Sequence, residues 1–332
     1  MNSDKRLFLA VGISFLILLV YPIYLKMISP PPGSQPKLGN EIPVDVATEI
    51  KANELSKVPR TNEQLYLFSN VRFNAEFTNR GGAIKKLELK NWGKRQMGNV
   101  SLINQAEDEA GVFLTDLANQ GLGFGERLFS LESLNEQTGE IRFAAEEAGK
   151  WRLIKTFQFA SDRPAILLEI EIENLSLKEQ LAPLELIKEL DIGQKVKNEP
   201  IQLESFVTFR EKLVSSKLDK IKKKPQVDEG EILWVALTRK YFALITKSNR
   251  PASVVRTTPG NQAESLRVAI QFSPHAVNPG GAIKEQFLIY AGPQYYKDLK
   301  SFGYGFEHLL SQGFFGIFKL WLLGSIRECL CT

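Results

Sequence analysis

Apolar and polar residues alternate with a period of two through most of the chain, from about residue 61 to Tyr290. In the segment AILLEIEIENLS, residues 165–176, apolar side chains occupy the even positions from Ile166 to Ile172. Successive side chains of a β-strand point to opposite faces of its sheet. The pattern therefore predicts a strand that buries one face and exposes the other, which carries Glu169, Glu171 and Glu173.

Five further segments show this alternation: QLYLFSNVRFNAEFTN (64–79), GGAIKKLELKNW (81–92), WRLIKTFQFA (151–160), ESLRVAIQFS (264–273) and AIKEQFLIYAGP (282–293). Glycine-rich and proline-rich turn signals separate them, at 79–82, 259–261 and 278–281. One lysine, Lys155, falls on the same strand face as Leu153, Phe157 and Phe159. A long series of strands without alternating helices predicts a mainly β fold. We expect a large antiparallel sandwich over residues 62–292, with one apolar and one charged face on each strand.

The amino end carries an uncharged apolar run from Leu7 to Leu25. Its length suits a membrane-spanning helix, and Tyr21 and Tyr24 would lie in the aromatic belt at its exit. A cleaved signal peptide is the competing interpretation, but its apolar region should be shorter and no A-x-A-like site follows. We therefore predict an anchor over residues 1–28, whose N-terminus lies in the cytoplasm because Lys5 and Arg6 precede the span. The proline-rich stretch within residues 29–61 predicts an extended tether.

The carboxyl end shows helical periodicity. Apolar residues recur every three or four positions over residues 293–312, which predicts an amphipathic helix with a bend or break at Gly303 and Gly305. The apolar run that follows, Phe314 to Leu323, spans only ~15 Å as a helix against ~30 Å of hydrocarbon. We expect residues 313–326 to lie in the membrane interface. The interface residues of that helix would be Phe314, Phe318, Lys319 and Trp321.

Residues with catalytic or ligand-binding chemistry are scarce. Neither His275 nor His308 has a nearby cysteine or nucleophile motif, so both are expected to be surface or packing residues. The stretch GLGFGE at 121–126 lacks the third glycine of a dinucleotide-binding turn and is expected to be a loop. The sequence predicts no enzyme activity and no cofactor.

Two other features exclude common functions. The lysine-rich stretch Lys217–Lys224 has no interleaved aromatic residues, so it is expected to be a solvated loop and not a nucleic-acid site. Both cysteines, Cys329 and Cys331, lie in the last four residues, too few for a disulfide framework or a zinc site.

Four local matches, in their order along the chain, resemble the YidC family of membrane protein insertases. They are a GG-x-I stretch at Gly81, Gly82 and Ile84; a W-x-x-x-x-x-K-Y-F segment at Trp234, Lys240, Tyr241 and Phe242; a P-G pair at Pro279 and Gly280; and a Y-x-G-P stretch at Tyr290, Gly292 and Pro293. A Gly-Phe-Phe-Gly run follows the last match, as in that family.

The resemblance implies a β-supersandwich similar in topology to sugar-mutarotase domains, with an N-terminal transmembrane helix and C-terminal amphipathic helices. It implies a non-enzymatic protein of the bacterial inner membrane, with its main domain in the periplasm. The partners it implies are the lipid bilayer, the Sec translocon with its accessory subunits, and nascent inner-membrane proteins in the full-length family. The implied function is to assist insertion and folding of those proteins.

The resemblance ends near residue 323, where further membrane spans would follow in the family. Residues 327–332 are a divergent tail, and we expect a truncated chain that cannot carry out insertion alone. The alternative is a membrane-anchored carbohydrate-binding or mutarotase-like module, which would need catalytic His and Glu in a cleft. An envelope adaptor is a third class, but the long heptad hairpins that it predicts are absent from the sequence.

Overall fold

The computed structural model describes residues 62–90, 98–105, 109, 111–117, 123–190, 203–210, 212–260 and 264–311. The predicted anchor, tether, interfacial helix and tail lie outside these residues, and so do Tyr21, Tyr24, Phe314, Phe318, Lys319 and Trp321. Within the described ranges, no helix has the length and apolar character needed to cross a bilayer.

Strands dominate the described part of the chain. Their bounds are β1 Leu65–Ser69, β2 Phe73–Thr78, β3 Ala83–Leu89, β4 Val100–Asn104, β5 Leu114–Leu117, β6 Ser130–Asn135, β7 Glu140–Glu147, β8 Trp151–Phe159, β9 Ala165–Asn174, β10 Gln180–Ala182, β11 Leu184–Leu190, β12 Leu203–Thr208, β13 Leu213–Lys217, β14 Gln226–Arg239, β15 Phe242–Pro259, β16 Leu266–Gln271, β17 His275–Val277 and β18 Ala282–Pro293. The helices are α1 Leu218–Lys223, α2 Tyr296–Ser301 and a 3-10 helix, Phe306–Ser311.

Two sheets form the body of the domain. The smaller one has the order β1-β2-β3-β4, and the larger one runs β13-β12-β14-β15-β18-β9-β8-β7-β6. Strand β16 pairs with β15 and β11, and β11 pairs with β5, which extends the larger sheet to twelve strands. Strands β10 and β17 form a separate pair. Every pairing is antiparallel, as the sequence predicts.

The main hydrophobic core lies between the two sheets. Phe77 of β2 contacts Phe157 of β8 edge to face, with ring centroids 5.2 Å apart. Strand β9 follows the predicted pattern: its even positions are buried in this core and its glutamates are partly exposed. On that outer face the ammonium group of Lys284 lies 3.3 Å from the carboxylate of Glu169 and 3.2 Å from that of Glu171.

The prediction of one charged face on every strand is wrong for β14, β15 and β18. In β14, Val235 and Leu237 face the main core, while Trp234 and Ala236 belong to a second apolar cluster on the opposite face. Residues Tyr295–Ser311 cover this second face and are called the C-terminal helical layer below. A strand that is buried on both faces has a continuous run of apolar residues in its sequence. This explains the apolar run FALI, residues 242–245, at the start of β15.

The C-terminal helical layer has the break that the sequence predicts. Helix α2 ends at Ser301, and the 3-10 helix starts at Phe306. Gly303 and Gly305 between them have φ values of 73° and 74°, which disfavour residues with a Cβ atom.

The lysine-rich stretch is a short helix, so its prediction as a loop is wrong. Leu218 and Ile221 of α1, three residues apart, are buried in the main core and fix the helix there. The lysines of this stretch are exposed, as predicted.

Candidate functional site

The C-terminal helical layer packs on the large sheet through an apolar cluster that is separate from the main core. Its buried members are Phe206, Trp234, Ala236, Ala243, Ile245, Tyr290, Leu299, Phe306 and Leu309. Strands β12, β14, β15 and β18 supply six of them, and the layer supplies Leu299, Phe306 and Leu309. Several residues of the second and fourth family matches lie in or beside this contact: Trp234, Tyr241, Phe242, Tyr290, Gly292 and Pro293.

Trp234 links the middle of the sheet to the break in the layer. Its indole nitrogen donates a hydrogen bond of 3.0 Å to the backbone carbonyl of Tyr304. Its ring meets Phe306 edge to face at a centroid distance of 5.5 Å. The residues between the two helices are therefore held to β14 by both a polar and an aromatic contact.

Tyr290 closes the end of β18. Its hydroxyl is buried and donates a hydrogen bond to the carbonyl of Pro293, while its ring meets Phe302 edge to face at 5.4 Å. Burial, followed by the nearby charge of Asp298, raises the pKa of Tyr290 above its ordinary value. The hydroxyl therefore remains a neutral donor that fixes the turn into α2.

Gly292 allows the loop before β9 to approach β18 closely. A Cβ atom at this position would lie 3.0 Å from Cβ of Pro164 and 3.1 Å from the hydroxyl oxygen of Tyr290. The backbone N–H of Ala291 also donates to the carbonyl of Pro164 at 3.0 Å. A larger residue at this position would therefore have to displace Pro164 or the Tyr290 hydroxyl.

Tyr241 and Phe242 form the β14–β15 turn beneath the start of the layer. Phe242 is buried in the main core and lies opposite Pro293 in the sheet register, whereas Tyr241 is exposed. Gln294 joins this turn to the layer: its backbone N–H donates to the carbonyl of Tyr241 at 2.7 Å, and its side chain donates to that of Phe242 at 3.1 Å.

Gly81 and Gly82, from the first family match, lie apart from this contact in the turn between β2 and β3. Gly81 has a φ of 68°, and a Cβ atom there would lie 2.6 Å from the carbonyl oxygen of Gly125. Its own carbonyl accepts a hydrogen bond of 2.9 Å from the ammonium group of Lys155. The GG-x-I match therefore has a structural explanation within the main core.

Lys155 is the one charged side chain among the largest fully buried residues of the described chain. Besides Gly81, its ammonium group donates to the carbonyl of Phe113 at 2.6 Å and lies over the rings of Phe129 and Phe157. Burial lowers the pKa of Lys155 to about 7. The side chain joins the β2–β3 turn and the Phe113 segment to β8, a contact that the alternation of residues alone did not reveal.

Other titratable groups are dispersed. His275 on β17 and His308 in the 3-10 helix are both exposed and lie on different elements. Asp116 and Glu185 face each other across β5 and β11, and burial raises the pKa of each carboxyl group. Among the described residues, no group of three or more His, Cys, Asp or Glu side chains could hold a metal ion. The part of GLGFGE within the described ranges, from Gly123 onward, lies in a loop, as expected.

Solved structures similar to this fold include galactose mutarotase-like proteins. An Escherichia coli K12 protein proposed as an aldose 1-epimerase superposes with a TM-score of 0.51 at 9% identity, covering 69% of this chain and 99% of that protein. A galactose mutarotase-like protein from Lactobacillus casei ATCC 334 gives a TM-score of 0.50, also at 9% identity, covering 69% of this chain and all of that one. This similarity defines the fold class as a mainly β supersandwich.

Sequence relatives define the family. Residues 67–324 match the family described as the YidC periplasmic domain, and the chain belongs to the YidC family. It is 25% identical to the membrane protein insertase YidC of Geotalea uraniireducens (strain Rf4) over 98% of this chain and 64% of that protein. It is 24% identical to the membrane protein insertase YidC of Geobacter sulfurreducens, over 98% of this chain and 63% of that protein. The chain thus spans somewhat less than two thirds of the length of these relatives.

Proposed function

We propose that this chain acts in the bacterial inner membrane as the anchored, periplasmic portion of a YidC-type insertase. In this role its β domain assists the insertion and folding of inner-membrane proteins together with the Sec translocon. The observation that carries the proposal is the attachment of the C-terminal helical layer to the large sheet. Trp234 and Tyr290, from two separate motifs, contact Tyr304, Phe306 and Phe302 of the layer, and Gly292 and Pro293 lie against the Tyr290 hydroxyl.

The attachment fixes the orientation of the layer on the large sheet. The layer ends at Ser311, and the sequence becomes apolar again from Phe314. A layer held by the hydrogen bond from Trp234 to the carbonyl of Tyr304, by the ring contact of Tyr290 with Phe302 and by a buried aromatic cluster has little freedom to rotate on the sheet. The β domain would therefore hold the layer, up to residue 311, in one orientation on the large sheet.

The proposed role is non-catalytic. The exposed histidines lie on separate elements, and the motif residues of this contact pack or hydrogen-bond within the protein. Insertion itself requires a polar site within the bilayer, because hydrocarbon penalises the polar groups of a passing segment. We assign that step to the full-length insertase and assign positioning and partner contact to the β domain.

The proposal is tested by site-directed photo-crosslinking of the full chain in inner membranes. A crosslinking residue would replace exposed side chains on different faces: Leu67 on β1, Leu177 after β9, Val227 on β14 and Tyr241. Crosslinks from one face to antibody-identified Sec translocon or accessory subunits are the expected result. Their absence from all four positions in correctly localised protein would refute the proposal.

A sugar assay separates the proposal from the carbohydrate-binding alternative. The same membranes or purified full chain would be titrated with glucose and galactose, with polarimetry to follow mutarotation. We expect neither binding nor acceleration. Saturable sugar binding would contradict the proposed function and support the alternative.

A further inference from the structure

The outer surface of the C-terminal helical layer and the adjoining β14–β15 turn is rich in exposed tyrosine and lysine. We call it the tyrosine–lysine face, and its members are Lys240, Tyr241, Tyr295, Tyr296, Lys297, Lys300 and Tyr304. Gln294 joins the two parts of this face through its bonds to the carbonyls of Tyr241 and Phe242. These exposed side chains therefore lie on neighbouring parts of the domain: the β14–β15 turn, α2 and the residues that follow it.

The rings and the cations of this face lie close together. The ammonium group of Lys240 is 4.6 Å from the ring centroid of Tyr241, and that of Lys300 is 5.4 Å from the ring of Tyr296. Farther along, Lys247 lies 4.5 Å from the ring of Tyr304. Each contact places a positive charge beside an amphipathic ring that exposes a hydroxyl group.

The acidic residues of the layer are less exposed than its lysines. Asp298 and Glu307 are half-buried, and one carboxylate oxygen of Glu307 is fully buried. At the border, Arg163 lies over the ring of Phe302 and pairs with exposed Asp162. The exposed lysines of the layer, Lys297 and Lys300, together with Lys240 on the turn, therefore outnumber its two acidic residues and give the face a small excess of positive charge.

We propose that the tyrosine–lysine face docks on an anionic bilayer surface. Tyrosine is enriched at membrane–water interfaces, where its ring lies at headgroup level and its hydroxyl remains hydrated. Lysine near an anionic leaflet is attracted to lipid phosphate groups. The exposed tyrosine rings of the face match the headgroup region of such a surface, and its exposed lysines match the lipid phosphate groups.

The position of the face in the chain supports the same partner. Ser311 ends the layer, and the apolar run starts three residues later at Phe314. Three residues span at most ~11 Å when fully extended. A bilayer that receives the apolar run would therefore lie within reach of the layer.

The lysine-rich helix α1 provides an internal comparison. It exposes more lysines than the layer, but Leu218 and Ile221 attach it to the main core and not to the second apolar cluster. No tyrosine or tryptophan lies between Lys217 and Lys224. It therefore has charge without interfacial rings, and we do not expect it to dock on lipid in the same way.

The test measures lipid proximity in the reconstituted full chain. With Cys329→Ser and Cys331→Ser in place, a fluorophore would be attached at Ser301→Cys, an exposed position that removes no charge or ring of the face. A second protein would carry it at Leu177→Cys, where the native side chain is 96% exposed. Vesicles would contain phosphatidylcholine alone or mixed with phosphatidylglycerol, each with headgroup-level nitroxide lipid as the quencher.

We expect quenching at position 301 in the vesicles with phosphatidylglycerol, a decrease at high salt, and little quenching at position 177. The double variant Lys297→Gln/Lys300→Gln should weaken docking about fivefold for each lysine removed. The matched variant Lys222→Gln/Lys223→Gln, with the same charge change on α1, should leave quenching at 301 unchanged.

Three results would overturn the proposal: equal quenching at positions 301 and 177, equal quenching with and without phosphatidylglycerol, or equal loss in the two charge variants. The first two comparisons use unaltered lysines, so a folding defect in a charge variant cannot produce them. The docking inference goes beyond the proposed function and does not depend on Sec contact. A failed crosslink to Sec subunits would leave the lipid result intact.

Discussion

The indole nitrogen of Trp234 and the carbonyl oxygen of Tyr304 are 3.0 Å apart, although the two residues are separated by 70 positions in the chain. This hydrogen bond joins a central strand of the large sheet to the break between α2 and the 3-10 helix. It lies beside the edge-to-face contact of Trp234 with Phe306. The pair therefore secures the C-terminal helical layer at the point where its own helical bonds are interrupted.

Replacing Trp234 with phenylalanine should loosen the layer without unfolding the sheet. The variant loses one hydrogen bond, a contribution of about 1 kcal/mol, which corresponds to about fivefold faster amide exchange in residues 296–311. Hydrogen exchange with mass spectrometry on the full chain measures this effect. Trp151→Phe, the same change in the main core, should leave exchange of the layer unaltered. Equal exchange of the layer in Trp234→Phe and the parent protein would contradict the assigned role.

The β domain should fold without the predicted anchor. A fragment of residues 60–312 contains both sheets, the main core and the whole C-terminal helical layer. We expect it to be soluble and to give a circular dichroism spectrum dominated by β structure. A helix-dominated spectrum, or folding only in detergent, would show that the core requires residues outside this range.

Gly292→Ala should destabilise that fragment. The new methyl group would approach Pro164 to 3.0 Å on one side and the Tyr290 hydroxyl to 3.1 Å on another, and overpacking of this kind costs about 1–3 kcal/mol. Urea unfolding gives the difference in free energy. Gly125→Ala is the matched control, because a Cβ atom there meets only Leu114, at 3.7 Å. Similar losses for the two variants would show that Pro164 packing is not the cause.

Local alternation allowed the strand class and the buried face of several strands to be predicted from sequence. Strand β9 is the clearest case, because a period of two assigns Ile166 and Ile170 to one face whatever the strand pairs with. The turn glycines Gly303 and Gly305 likewise predicted the break in the layer, since their φ values depend on local backbone sterics.

Contacts between distant segments could not be predicted in this way. The sequence placed Lys155 on the apolar face of β8. It did not reveal the hydrogen-bond acceptors of this lysine, because the carbonyls of Gly81 and Phe113 lie 74 and 42 positions away in the chain. The second buried face of β14 depends on a layer that folds back from the C-terminal side. Helix α1 was missed because the spacing of Leu218 and Ile221 is a short signal within a lysine-rich run.

The orientation of the chain in the membrane remains a prediction that protease accessibility can check. Lys5 and Arg6 precede the Leu7–Leu25 run, so the N-terminus is expected in the cytoplasm and the β domain in the periplasm. Protease added to spheroplasts should degrade residues 60–290 while an N-terminal tag stays protected. Protection of the β domain in intact spheroplasts, with degradation only after lysis, would reverse the assignment.

Lys155 should make the stability of the β domain depend on pH. Burial lowers the pKa of its ammonium group from 10.5 to about 7, so between these values the unfolded chain binds a proton that the folded chain has released. Stability contributed by this group therefore rises as the pH increases from about 7 toward 10. Among the described residues no carboxylate pairs with Lys155; its ammonium group donates to two backbone carbonyls.

The measurement is urea unfolding of the 60–312 fragment at several pH values between 7 and 10, compared with Lys155→Met. Methionine retains much of the side-chain volume but does not titrate, and it leaves the carbonyls of Gly81 and Phe113 without their donor, at a cost of about 1–3 kcal/mol each. The parent fragment should gain stability relative to the variant across this range, by up to a few kcal/mol. Lys150→Met, an exposed lysine just before the same strand, is the control and should preserve the parent slope. Parallel curves for the parent fragment and Lys155→Met would mean that Lys155 keeps its proton throughout this range, held by its two carbonyl acceptors despite its burial.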